Sequence, residues 1–249
     1  MISVPTFSEV LLGTLRGAER VAILTGAGAS KESGIPTFRD ADDALWGRYD
    51  VRDLATPEAF GRNPKLVWDW YEARRRAAAG VAPNAGHAAI ARLEEKILEV
   101  TVITQNVDGL HQRAGSTRVI ELHGSLFRVR CSLCDRVFAD WSGRGPHVPP
   151  RCACRGLLRP DVVWFGEMLS IEAIQSARRA AGRADALLVV GTSAVVQPAA
   201  SLPREAMRAG AYVLEINAEP TPLTGVVNES VIGRSGDVLP ALWRAAWGE

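Results

Sequence analysis

Short apolar runs rich in β-branched residues recur along the chain at positions 21–25, 100–104, 119–122, 187–190 and 212–216. Runs of that length and type predict strands. Between most of them the pattern is helical, as at 87–96, 171–183 and 202–209, and the N-terminal residues also read as an ordinary helix. Strands alternating with helices predict a parallel sheet covered on both faces, an α/β architecture. Two stretches break the alternation. Residues 40–86 read as helical and rich in Trp and Arg, and residues 131–155 as loop-like and rich in Gly and Pro. Both are expected to be insertions that together build a smaller lobe.

The residues just after each strand sharpen the picture. Gly26-Ala27-Gly28-Ala29-Ser30 comes after the first, Gln105-Asn106-Val107-Asp108 after the second and His123-Gly124 after the third. Gly191-Thr192-Ser193 comes after the fourth and Asn217-Ala218-Glu219 after the fifth. In an open parallel sheet, ligands bind outside the carboxyl ends of the strands. Each motif alone could be a turn, since Gly, Asn, Asp and Ser are ordinary turn residues. Together, at five strand ends, they point to one crevice. Gly26 and Gly28 would let backbone N–H groups approach a pyrophosphate, with a helix N-terminus adding a favourable dipole. The dehydrogenase fingerprint places a third glycine where Lys31 stands, and that mismatch argues against hydride transfer.

Composition narrows the classes. With 249 residues and 47% apolar side chains, the chain can build one sizeable α/β domain with an appendage. Its 29 basic and 28 acidic residues nearly cancel, without the basic excess of a nucleic-acid binder. No apolar run approaches the roughly 18 residues of a membrane span, and no signal peptide is evident, so a cytoplasmic protein is expected. All four cysteines fall in one stretch: Cys131-x-x-Cys134, seventeen residues, then Cys152-x-Cys154. In a reducing compartment such close pairs suggest metal before disulfides. Thiolates bind zinc tetrahedrally, and four of them leave no open position, so the ion would be structural. The second pair is tighter than usual. His147 could replace one ligand, and four buried thiols without metal is the plainer reading.

A helix is predicted from Asn63, which can cap it, and Pro64, which suits its first turn. Leu66, Val67, Trp70 and Tyr71 share one face, and Arg74 continues it; Asp69, Glu72, Arg75 and Arg76 fall on the solvated side. An arginine ending an apolar stripe needs an acceptor if it is buried. Water, one of the protein's own carboxylates, or a carboxylate on a substrate would serve.

Read in order, Gly26-Ala27-Gly28-Ala29-Ser30, Gly34-Ile35-Pro36-Thr37-Phe38-Arg39, Thr104-Gln105-Asn106-Val107-Asp108-Gly109-Leu110-His111, His123-Gly124 and Gly191-Thr192-Ser193 resemble the signature set of the sirtuin family. The resemblance spans residues 19–242, and the missing third glycine is normal for that family. It implies a Rossmann-like large lobe of about 1–39, 87–123 and 160–249. A small lobe of about 40–86 and 124–159 would carry a zinc module at 131–154. The implied activity is NAD-dependent protein-lysine deacylation, with NAD consumed as co-substrate and one structural Zn²⁺. The acyl oxygen attacks the anomeric carbon of the nicotinamide ribose and nicotinamide leaves. An alkylamidate forms, and His123 as base deprotonates a ribose hydroxyl, yielding lysine and O-acyl-ADP-ribose.

The resemblance also assigns residues. Asn106 and Asp108 serve the nicotinamide and its ribose, alongside Gln105. Gly26, Ala27, Gly28, Ser30, Thr37, Phe38 and Arg39 line the cofactor, as do Gly191, Thr192 and Ser193. Asn217, Glu219 and Ser235 fall at the adenosine end. Phe165, Gly166 and Glu167, after Trp164, match the segment that pairs with substrate backbone. Tyr71-x-x-Arg74 resembles the pair of class III sirtuins, which act on succinyl- and malonyl-lysine, so deacetylase, desuccinylase and demalonylase activities are all expected. Acylated lysines of proteins are the expected partners, and a monomer or weak oligomer the expected state. Mono-ADP-ribosyl transfer, or NAD or ADP-ribose binding without catalysis, are the alternatives.

Overall fold

The computed structural model of the chain describes residues 5–35, 54–140 and 148–248. Helix α1 (Glu9–Gly17) begins at Ser8, whose hydroxyl accepts from the Leu11 N–H. Then come β1 (Arg20–Thr25), the single turn α2 (Gly28–Lys31), α3 (Pro57–Arg62) and α4 (Pro64–Gly80). Helix α5 (Ala85–Arg92) leads to β2 (Glu99–Thr104), α6 (Leu110–Arg113) and β3 (Val119–Glu121). Strands β4 (Gly124–Cys131), β5 (Val137–Phe138) and β6 (Leu158–Val162) come next. The chain closes with α7 (Ile171–Arg183), β7 (Ala186–Val190), α8 (Leu202–Arg208), β8 (Tyr212–Asn217), β9 (Glu229–Ile232) and α9 (Ser235–Trp247).

Six strands form a parallel sheet in the order β3-β2-β1-β7-β8-β9, a Rossmann-like core. The five expected strands are all in it. The sixth, β9, carries no long apolar run, because it lies at an edge and only Val231 is buried. Neighbouring residues of β1 point to opposite faces, as pleating requires. Ile23 joins Leu11, Leu15, Ile90 and Trp243 under α1, α5 and α9, whereas Leu24 joins Ala177, Ala181, Leu202 and Ala206 under α7 and α8. Each such buried Leu or Ile contributes roughly 1.5–3 kcal/mol. Strand order reverses beside β1, whose terminal Thr25 lies level with Thr104 of β2 and Val190 of β7. That reversal opens the crevice where ligands of such sheets bind.

Strands β5-β4-β6 make a separate antiparallel sheet. Helices α3 and α4 pack on it through a core of Leu54, Phe60, Trp70 and Tyr71 against Leu126, Val162 and Trp164. Two expectations need correction. The stretch 131–155 is not loop throughout, since Cys131 ends β4 and β5 pairs with it. Arg75 is not on the solvated side of its helix. It is buried, its Nε donates to the Leu126 carbonyl, and its guanidinium pairs with Glu72. Stem packing and a backbone acceptor outweigh hydration there, which a helical wheel cannot reveal. No helix among the described residues is long and apolar enough to cross a membrane.

Candidate active site

The Gly26–Gly28 turn and the Gly191 turn close on each other at the strand-order reversal. Gly26 N donates to Val190 O at 3.1 Å and Gly28 N to Gly191 O at 2.8 Å. Gly191 has φ +59°, and a Cβ on it would lie 2.3 Å from Ala29 N. These glycines are therefore needed first for one loop to approach another, and their own N–H groups are used within the protein. The backbone donors left over are those of Ala27, Thr192 and Ser193, which make no hydrogen bond among the described residues. Three such donors at the mouth of the crevice suit an anion such as a pyrophosphate. Because α2 is a single turn, a helix dipole adds little to them.

Strand β2 delivers the next group. Asn106 is buried, and its Nδ2 donates to Gly26 O and to Ser30 Oγ, both at 3.0 Å. With both amide hydrogens engaged, its carbonyl oxygen is the end available to a ligand donor. Asp108 is also buried, and its Oδ1 accepts from Leu110 N at 3.0 Å, starting α6. Gln105 Nε2 donates to Thr192 Oγ1 at 2.9 Å, tying the second strand end to the fourth.

His123 lies just beyond β3, half-buried. Its Nδ1 lies 2.9 Å from Gln105 O. A carbonyl only accepts, so Nδ1 carries the proton and Nε2 keeps a lone pair, the form a general base needs. Burial pushes the His123 pKa below its ordinary value, and the Gln105 contact opposes this in part.

A buried polar ring that the sequence did not reveal holds Asn106 in place. The Thr25 hydroxyl donates to Thr104 Oγ1 at 2.8 Å, and Thr104 Oγ1 accepts from Asn106 N at 3.0 Å. His111 Nε2 lies 3.0 Å from Thr25 Oγ1, and its ring meets that of His87 at 4.8 Å between centroids. His87 Nδ1 accepts from Asn84 N at 3.3 Å and its Nε2 faces Ser30 Oγ at 3.5 Å, which closes the ring. Burial lowers both imidazole pKa values, that of His111 to about 3, with His87 adding to the effect. Asn84 and His87 also form the capping box that starts α5.

At the far end of the crevice the Ser193 hydroxyl makes no hydrogen bond among the described residues. Asn217 Nδ2 donates to Glu219 O at 2.7 Å, and the Glu219 side chain is exposed. Ser235 is buried at the start of α9, where its hydroxyl donates to Glu32 at 3.2 Å; Gly236 N donates to the same oxygen at 2.8 Å. Glu32, which sequence reading passed over, thus caps α9. Thr37, Phe38, Arg39 and His147 lie outside the described residues.

On α4, Tyr71 is fully buried and Arg74 half-buried, its guanidinium carbon 4.8 Å from the Trp70 ring centre and 5.3 Å from that of Tyr71. Burial lowers the Arg74 pKa; Tyr71 and, from the crevice, Asp108 act in the opposite direction. Phe165 is exposed, its N–H donating to Ala55 O at 2.9 Å, and Gly166 turns the chain with φ +86°. The Glu167 carboxylate is engaged within the protein, accepting from Arg159 at 2.5 and 2.8 Å and from Trp164 N at 2.8 Å. A substrate backbone at this segment would therefore meet main chain rather than that carboxylate.

Cys131, Cys134, Cys152 and Cys154 gather with their sulfurs all within 4.8 Å of one another. Cys131–Cys154 is 3.4 Å, Cys134–Cys154 3.5 Å and Cys134–Cys152 3.8 Å. These are too long for disulfides. A tetrahedral zinc with Zn–S near 2.3 Å requires sulfurs about 3.8 Å apart. The donor set therefore fits zinc in number, type and spacing. Gly156 permits the cluster, since a Cβ there would lie 2.6 Å from the Cys131 sulfur.

Comparison with known proteins returns one family. The model of the Sir2 family matches residues 26–198. NAD-dependent protein deacylase 2 of Pyrobaculum aerophilum is 53% identical over 229 residues, covering 92% of this chain and 91% of that protein. A solved structure described as a Sir2 homolog–NAD complex is 48% identical with a TM-score of 0.89, covering 97% of this chain and 94% of that one. Another, described as Sir2 bound to acetylated peptide, is 31% identical with a TM-score of 0.86, covering 98% of this chain and all of that one.

Proposed function

The chain belongs to the Sir2 family, the sirtuins, and from that premise we propose that it is an NAD-dependent protein-lysine deacylase in which His123 is the base. The observation that carries this reading is the His123 ring at the crevice, with its Nδ1 proton held by Gln105 O. NAD would lie along the strand ends. Its pyrophosphate would take the Ala27, Thr192 and Ser193 N–H groups, and its nicotinamide half would take the Asn106 oxygen and Asp108. NAD supplies an activated anomeric carbon for the acyl oxygen to attack. His123 Nε2 accepts a ribose hydroxyl proton, and the buried ring beneath Asn106 keeps that end of the crevice ordered. Nicotinamide and O-acyl-ADP-ribose are the products of this reading. Zinc held by Cys131, Cys134, Cys152 and Cys154 would tie the end of β4 to the 152–154 turn, a structural role. In this reading the parallel sheet belongs to a large nucleotide lobe and the antiparallel sheet to a small one.

The acyl group is read from Tyr71 and Arg74. A succinyl or malonyl group ends in a carboxylate that a guanidinium can grip through two parallel hydrogen bonds; an acetyl group offers none. Replacing Arg74 by Met should remove a charge-assisted contact of roughly 1.5–3 kcal/mol, a 10- to 150-fold loss in kcat/KM on succinyl peptide. The loss on the matched acetyl peptide should be much smaller. Equal losses on both would assign Arg74 to the fold or the NAD crevice and end the acyl reading.

A further inference from the structure

The Tyr71 side chain is fully buried. The Trp164 indole N–H reaches its oxygen at 3.0 Å. The Arg74 guanidinium carbon lies 5.3 Å from the centre of the Tyr71 ring. An indole N–H can donate but never accept, whereas a phenol has two lone pairs and one proton. The Trp164 N–H thus takes one lone pair of the oxygen, and the hydroxyl proton meets no acceptor among the described residues. A buried donor is seldom left in that condition, which points to an acceptor brought by a ligand.

The indole is itself held. The Arg159 guanidinium carbon lies 3.4 Å from the Trp164 ring centre. Glu167 fixes that arginine by two oxygens and also accepts from the Trp164 backbone N–H. Arg159 further donates to Val162 O at 2.8 Å, and the Phe60 ring packs 5.4 Å from the indole. These contacts hold the indole against Tyr71.

We propose that Trp164 is a positioning residue for acyl selection: by donating its N–H to the Tyr71 oxygen, it turns the Tyr71 hydroxyl proton toward a carboxylate on the acyl group. This rests on the acyl reading above and adds to it. Arg74 supplies the charge, Tyr71 supplies a directed neutral donor, and Trp164 sets that direction. With phenylalanine at 164 the aromatic packing survives, but a lone pair on the Tyr71 oxygen is freed and the hydroxyl can rotate. The cost falls on acidic acyl groups, because only they present the acceptor.

The test compares wild type, Trp164→Phe and a variant carrying benzothienylalanine at position 164, which keeps the indole shape and replaces N–H by sulfur. Arg74→Met serves as the reference. Each is assayed on succinyl- and acetyl-lysine versions of one peptide at saturating NAD, and the ratio of the two kcat/KM values is read, so that any general damage divides out. Both Trp164 variants should lower the succinyl-to-acetyl ratio by about 3- to 10-fold, through a higher KM for the succinyl peptide rather than a lower kcat. An unchanged ratio in the benzothienyl variant, while Arg74→Met lowers it, overturns the role of Trp164 and leaves the acyl reading standing. An unchanged ratio in Arg74→Met as well overturns both.

Discussion

His123 shows how a single residue's environment sets its chemistry. Gln105 O fixes the tautomer, and burial favours the neutral ring. The imidazole acts on a proton and contributes little to holding either substrate. His123→Ala should therefore lower turnover by about 100- to 10,000-fold, while NAD and acyl-peptide binding, measured by calorimetry, stay close to wild type. Turnover within threefold of wild type would remove His123 from the mechanism. The base must be neutral, so activity should fall as pH drops through the His123 pKa. Burial lowers that pKa in the free protein, which puts the acidic limb of kcat/KM below the ordinary value of about 6.5. A limb above 7 would mean that the imidazole is stabilised in its charged form. In sequence, His123, Asn106 and Asp108 were legible because they stand directly after strands. Glu32, His87 and His111 were not, since their meaning depends on partners up to 204 residues away.

At the scale of elements, α5 and α6 each bring a buried histidine to the ring under Asn106. His111 is held neutral with a pKa of about 3, against about 6.5 in an unfolded chain. Between those values the unfolded state binds the extra proton, so stability falls as pH falls through that window. From pH 7 to pH 5 this one group should remove about 2 kcal/mol. Urea midpoints at the two pH values should show the drop, and His111→Gln should shrink it. A pH difference unchanged in that variant would show that His111 is charged in the fold. The cysteine module makes a second prediction. One zinc per chain is expected by elemental analysis, and Cys131→Ala should lose both metal and stability, since few buried side chains support 131–154. Well-folded protein without zinc would contradict the site. The cysteine spacing made the module visible in advance. Strand β9 and the burial of Arg75 stayed hidden, because edge position and a backbone acceptor leave no periodic trace.

At the scale of the whole molecule, the described residues form two sheets and four buried clusters that frame a crevice at the reversal of strand order. The doubly wound core could be read ahead because its central strands β1, β2, β7 and β8 are continuous, largely buried runs. The small sheet could not, because β4 mixes Arg128 and Arg130 with buried Val129 and depends on Asp161 of β6 to pair them. The central claim is that this crevice couples NAD cleavage to acyl removal. The most direct measurement is mass spectrometry of acetyl- and succinyl-lysine peptides incubated with the protein, with and without NAD. Loss of the acyl mass is expected only when NAD is present, with one nicotinamide and one O-acyl-ADP-ribose formed per lysine released. Acyl loss without NAD, or a peptide that retains both its acyl group and a new ADP-ribose, would contradict it.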